Sequence, residues 1–302
     1  MQEKTRRGFL TSMGAVTAAG LLVPARGQAE EPVKRLGGPK LKLSLNAYSF
    51  NRPLRDGSMN LDDLLDFCAR NNFDALDATG YYFPGYPEVP SDDYINHIKL
   101  RAFHLGLAIS ATGIRNDFTL TDPAARQADI TLIKNWIICA AKLGAPMIRV
   151  FAGKIQPEGE NWHQTADRVA EALHECAEFG GKYGVVVAMQ NHNDFVKTSD
   201  QIIYILDRVQ SKWFGLMLDI GSLRVGDPYR EIERVTPYAV SWQIKENVYR
   251  DGEVEKTDMR KIVRIIRDGN YRGYIPIETL GPGDSYAKVT AFLAEVREAL
   301  AE

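Results

Sequence analysis

From Pro39 onward the chain alternates between two kinds of segment, and this limits its fold more than any other feature. Short β-like runs are "LKLSLNAYSF", "FDALDAT", "LAISATGI", "APMIRVFAG", "VVVAMQ", "WFGLMLDIG", "YAVSWQIKE" and "YIPIETL". Helix-like stretches lie between them. In "NLDDLLDFCARNN", Leu61, Leu64, Leu65 and Cys68 mark one face at helical spacing, with Asn60 as the N-cap. "DPAARQADITLIKNWIICAAKLG" is expected to stop at Gly144, and "TADRVAEALHECAEFGGKYG" at its glycine pair. Strict βα alternation implies parallel strands joined by helical crossovers. Eight such units predict a single (β/α)8 TIM barrel over residues 41–302, behind a short linker at 30–40. A doubly wound open sheet is the alternative, but no glycine-rich phosphate loop follows the first strand.

Composition agrees with a large core. Of 302 residues, 45% are hydrophobic and 25% charged, which is ordinary for a globular chain. The formal net charge is -2, and no basic stripe suggests a nucleic-acid partner. Cys68, Cys139 and Cys176 are an odd number scattered over helix-like stretches. They read as small buried residues rather than a disulfide framework or a zinc site.

The first residues stand apart from this pattern. "TRRGFL" pairs Arg6 with Arg7, a mildly apolar run follows, and "GQA" before Glu30 offers small residues for cleavage after Ala29. Residues 1–29 therefore resemble a twin-arginine export signal, with a basic tail as the alternative. The implied location is the periplasm or another exported site, reached through the twin-arginine machinery. The apolar run is too short and too rich in small residues to span a membrane comfortably, so no stable insertion is expected once the signal is removed.

Barrel enzymes carry their chemistry at the C-terminal ends of the strands. Those ends read Asn46 and Tyr48, Asp77, Arg149 and Phe151, Gln190 and His192, Asp219, Gln243 and Lys245, then Glu278. Paired residues two apart share a face. Gln190, Asp219, Gln243 and Glu278 offer four side-chain oxygens from four neighbouring strands. Such a set can surround Mn²⁺ or Mg²⁺ and leave positions open for substrate.

The segments "KLSLNAYSF", "VVVAMQNH", "GLMLDIGSL", "SWQIKE" and "GYIPIETL" together resemble the xylose-isomerase-like TIM barrels, the sugar phosphate isomerase/epimerase family. The resemblance covers nearly all of the chain after about residue 40. It implies a divalent metal held by Gln190, Asp219, Gln243 and Glu278, and a small-molecule sugar substrate. Three positions depart from the family pattern. Gln190 stands where a Glu is usual. Gln243 stands where His is frequent, although hydroxypyruvate-isomerase-like members also use Gln. Ser222 stands where a His is common.

Relatives of this kind move a proton next to a carbonyl, and a carboxylate pair on the fifth and eighth strands serves as acid and base. An amide cannot accept a proton at neutral pH, so Gln190 suits a ligand and fails as a base. Glu278 then works alone, or a different base is recruited: His192 suits a general base, and Lys245 could hold a carboxylate or an enolate oxygen. For His192 the alternative is a ring hydrogen-bonded in the barrel mouth. For Lys245 it is a pairing with Asp219 or Glu278. Asn46, Tyr48, Arg149, Tyr81 and Glu246 are the candidates for substrate contact, with Tyr82 beside them. The leading expectation is an isomerase or epimerase acting on a sugar or keto-sugar. A lyase on 3-keto-glycosides and a non-catalytic sugar-binding barrel are the alternatives. Five histidines are too few for a three-zinc endonuclease of the same fold.

Overall fold

The computed structural model describes residues 31–302. The proposed export signal at 1–29 lies outside the described residues. The expected alternation is present as β1 (Lys40–Asn46), α1 (Asn51–Asp56), α2 (Leu61–Arg70), β2 (Ala75–Thr79), α3 (Asp92–His104), β3 (Ala108–Gly113), α4 (Pro123–Leu143) and β4 (Met147–Phe151). It continues through α5 (Trp162–Tyr183), β5 (Val186–Gln190), α6 (Ser199–Val209), β6 (Phe214–Asp219), α7 (Pro228–Val235) and β7 (Ala239–Lys245). A hairpin of β8 (Asn247–Arg250) and β9 (Glu253–Lys256) follows, then α8 (Met259–Asp268), β10 (Arg272–Glu278) and α9 (Ser285–Ala301).

Eight parallel strands close in the order β1-β10-β7-β6-β5-β4-β3-β2. This is a single (β/α)8 TIM barrel. The register sets the site: Asp219 of β6 lies level with Gln243 of β7, and Lys245 of β7 lies level with Glu278 of β10. Among the described residues no helix is long and apolar enough to cross a membrane.

Helix ends follow local chemistry. Asn60 caps α2 in a reciprocal box with Asp63, and Gly144 ends α4 in the left-handed conformation at φ 83°. One expected end is wrong. α5 runs through its glycine pair and stops at Gly184, φ 68°. The pair serves packing instead. A Cβ on Gly181 would sit 2.5 Å from Trp213 Cδ1, and one on Gly180 would strike the Val185 carbonyl. The three cysteines are free and buried, and burial pushes the thiols of Cys139 and Cys176 up to about 12.

Candidate active site

The barrel interior changes character within two residues. Ala111, Met147, Ala188 and Met217 form a separate apolar cluster inside the barrel. Two residues further along the same strands come Arg149, Gln190 and Asp219. Because the side-chain period of a strand is two, these pairs share the inward face. The charged layer thus rests on an apolar floor, where little water screens its interactions.

At the centre Asp219 is fully buried and held from several sides. Its Oδ1 accepts the Gly221 backbone N–H at 2.9 Å, and its Oδ2 accepts from Gln190 Nε2 at 2.7 Å. Asn191 clamps the Asp219 backbone: the Asn191 side chain accepts the Asp219 N–H at 2.8 Å and donates to its carbonyl at 3.0 Å. The Lys245 ammonium lies 2.5 Å from Glu278 Oε2 and 3.4 Å from Asp219 Oδ2. Burial works against that charge, but Asp219 and Glu278 outweigh it and hold the ammonium above the ordinary lysine value.

A chain of amides orients the rest. The Tyr48 backbone N–H donates to Asn46 Oδ1 at 2.8 Å, which turns Asn46 Nδ2 toward Asp77 Oδ2 at 3.1 Å and Gln243 Oε1 at 3.2 Å. With its oxygen engaged by Asn46, Gln243 donates its own N–H to Glu278 Oε2. Each amide has one donor end and one acceptor end, so fixing the first fixes the next. Both contacts of the Glu278 carboxylate, from the Gln243 amide and the Lys245 ammonium, fall on Oε2, and Oε1 carries no hydrogen bond among the described residues. Asp77 is buried beneath Asn46. Burial raises its carboxyl to about 6; Arg149 opposes that shift and Glu278 adds to it.

These groups open into a cavity of about 630 Å³ lined by Asn46, Tyr48, Tyr81, Arg149, Gln190, His192, Gln243, Lys245 and Glu278. Most of the residues expected at the site therefore meet. Arg149 is buried against the Phe151 ring and donates to Tyr81 Oη at 2.8 Å, so Arg149 and Tyr81 form one wall. Gly113 makes room for it: a Cβ there would lie 2.7 Å from the guanidinium. His192 sits past the end of β5 in a turn, where its backbone N–H donates to Gln190 O. Its ring packs edge-on to Phe151, and Nδ1 is 3.0 Å from Asp194 Oδ2.

Three placements differ from expectation. Lys245 takes the pairing alternative, with both carboxylates. Tyr82 turns from the cavity and donates to Asn51 Oδ1 at 2.9 Å. Glu246 lies outside the main cavity, accepts the Leu280 N–H and lines a smaller one of about 130 Å³. Sequence reasoning missed Asn191 as the clamp on Asp219, although it stands inside the polar burst "QNHND". It also missed the cavity rim at Arg115, Asn116, Asp117 and Lys154, whose loops carry no periodic signal.

Among the described residues no group of three or more His, Cys, Asp and Glu side chains stands as a metal cluster. The donor set is two carboxylates and two amides. The carboxylates do converge on one cation, and the Lys245 ammonium is a stand-in for it. By that test the set fits a hard divalent ion at Asp219 and Glu278. Gln190 joins only by turning over its amide, which now gives Nε2 to Asp219 Oδ2. Gln243 joins only by giving up its bond from Asn46.

The model of the xylose isomerase-like TIM barrel family matches residues 65–296. The chain belongs to that family. A search of curated proteins finds no match. Among solved structures, the chain is similar to a D-psicose 3-epimerase with D-tagatose from Clostridium cellulolyticum H10. That pair is 16% identical over 86% of this chain and 97% of the other, with a TM-score of 0.68. A 3-keto-D-glucoside 4-epimerase from E. coli is 14% identical over 86% and 100%, with a TM-score of 0.70. A probable 3-DHS dehydratase from Bacillus anthracis is 16% identical over 86% and 99%, with a TM-score of 0.62. At these identities the likeness is one of fold.

Proposed function

We propose that this protein is an isomerase or epimerase that removes a proton next to the carbonyl of a sugar or keto-sugar. The observation that carries the reading is the convergence of Asp219 and Glu278 on one cation at the floor of a polar, aromatic-walled cavity. Asp219, Glu278 and Gln190 would hold Mn²⁺ or Mg²⁺, with Gln243 as the fourth oxygen. Such an ion supplies Lewis-acid polarisation of a substrate carbonyl. The protein's own groups do the rest. Glu278 takes the proton through Oε1, while Gln243 pins its other oxygen. A positioned general base of this kind is worth about 10²- to 10⁴-fold in rate. Arg149, Tyr81 and Tyr48 orient the sugar, and His192 at the mouth returns the proton.

A second reading, elimination from a 3-keto-glycoside, is favoured by the Gln190 bond to Asp219. With an amide in the place of the second carboxylate, one base remains, and elimination needs only one. The same fold carries a 3-keto-D-glucoside 4-epimerase and a probable dehydratase, which supports both readings. NMR of ketoses and 3-keto-glycosides incubated with the Mn²⁺-supplied protein separates them. A new epimer or isomer supports the first reading and release of the aglycone the second. Sugar that binds without any change leaves a binding barrel and removes both.

Gln190→Glu sharpens the choice. It keeps an oxygen and restores a carboxylate pair, so it is expected to tighten metal binding and to favour the two-base proton shift. We further propose export by the twin-arginine route, which makes a free sugar, keto-sugar or glycoside the expected substrate. Arg6→Lys with Arg7→Lys is expected to leave the protein in the cytoplasm, and unchanged export of that double variant removes the proposal.

A further inference from the structure

Lys245 bears on how a metal would enter this site. Its ammonium contacts the two carboxylates on which the metal reading depends, and its side chain is only 12% exposed. It balances one of their two negative charges. A divalent ion bound to Asp219 and Glu278 would need the same space and the same oxygens. Two cations at contact in a poorly screened interior repel strongly.

We infer that the site holds one cation at a time, and that Lys245 is a tethered competitor that occupies the metal position until a divalent ion displaces it. This rests on the metal reading of Asp219 and Glu278 given above. Two features of the fold fit an ammonium that must move. First, Gly221 follows Asp219 by two residues and faces the lysine stem. A Cβ there would lie 3.0 Å from Lys245 Cγ and 3.1 Å from the Asn247 carbonyl, so the bare α-carbon leaves the stem room that a methyl would crowd. Second, the smaller cavity of about 130 Å³ adjoins Lys245 and is lined by Ser222, Glu246 and Asn247. A displaced ammonium finds a carboxylate and a hydroxyl there. Arg224 also lines this cavity, with its guanidinium stacked 3.3 Å from the centre of the Tyr249 ring.

The arrangement has a functional consequence. With Lys245 between them, Asp219 and Glu278 are not a bare pair of repelling carboxylates. Metal affinity is then set by the difference between two cations rather than by the oxygens alone.

The test is a Mn²⁺ titration of the full chain, read by the electron paramagnetic resonance signal of free Mn²⁺ and by calorimetry. It compares the parent with Lys245→Met and Lys245→Gln. Removing the competitor is expected to tighten Mn²⁺ binding at least about tenfold in both variants. Lys245→Gln keeps a polar side chain of similar reach and covers the case in which Lys245→Met folds poorly. Thermal unfolding with chelator and with Mn²⁺ adds a second readout: the variants are expected to gain more from Mn²⁺ than the parent does. Binding by the variants alone supports the inference in its strongest form. Equal or weaker binding by the variants overturns it and leaves the metal reading standing. If neither the parent nor the variants bind Mn²⁺, the metal reading fails and this inference fails with it.

Discussion

Met217 and Asp219 face the same way on one strand, yet they belong to different worlds. Met217 lies in an apolar cluster with Ala111, Met147 and Ala188. Asp219 lies in a network of Gln190, Lys245 and Glu278. The same step separates Met147 from Arg149 and Ala188 from Gln190. The lower layer is held by burial and tolerates no charge. The upper layer is held by mutual pairing and tolerates no missing partner. The step between them shows how a barrel keeps stability and chemistry apart: the apolar residues fill the lower layer, and the polar groups are confined to the upper one.

That contrast can be broken from either side. The largest effect is expected for Met217→Asp, which moves a carboxylate down into the apolar layer without a partner. A polar group buried unpaired costs several kcal/mol and a charge more, so this variant is expected not to fold, as judged by circular dichroism. Native-like folding of it would show that the lower layer is wet. Next comes Lys245→Met, which leaves Asp219 and Glu278 facing each other. Removing one partner of a buried ion pair costs about 3 to 5 kcal/mol, to be read from denaturant unfolding in chelator.

Asp77 tests the upper layer by pH. Its folded pKa of about 6 lies above the ordinary 3.8, so the native state binds that proton more tightly than the unfolded chain. Its stabilising contribution is therefore full below about pH 4 and is lost as pH rises through about 6. A shift of this size corresponds to about 3 kcal/mol. Asp77→Asn is expected to abolish that fall, so the variant gains on the parent between pH 4 and 7 in unfolding experiments. A parallel pH dependence in the two proteins would contradict this account of Asp77. The smallest effect is expected for Gly113→Ala, whose methyl crowds the Arg149 guanidinium. Overpacking of this kind costs about 1 to 3 kcal/mol and is expected to raise KM for a sugar substrate more than it lowers kcat.

The barrel was legible because eight alternating segments leave little else to build. The four strand-end residues were legible because each strand ends in a polar side chain of the right parity. The partners across strands were not. Whether Lys245 reaches Glu278, Asp219 or the open cavity depends on the register of β7 against β10 and β6, which no local pattern records. The Asn46 lock on Gln243 joins residues 197 apart in sequence. The glycine pair of α5 looked like a stop because its packing partner, Trp213, lies two elements later. The β8–β9 hairpin carried a local signal that went unused. Asp251-Gly252 stands between its strands with φ of 48° and 88°, the positive pair that a tight hairpin turn requires.

The central claim is that Glu278 removes a proton next to a substrate carbonyl at this cation position. Deuterium exchange tests it most directly. The Mn²⁺-supplied protein is incubated in D₂O with aldoses, ketoses and 3-keto-glycosides, and each sugar is examined by NMR beside Glu278→Gln protein. The account expects deuterium beside the carbonyl of at least one sugar with the parent, and a loss of about 10²-fold or more in that exchange with Glu278→Gln. Exchange that survives unchanged in Glu278→Gln, or is absent from every sugar with the parent, would contradict it.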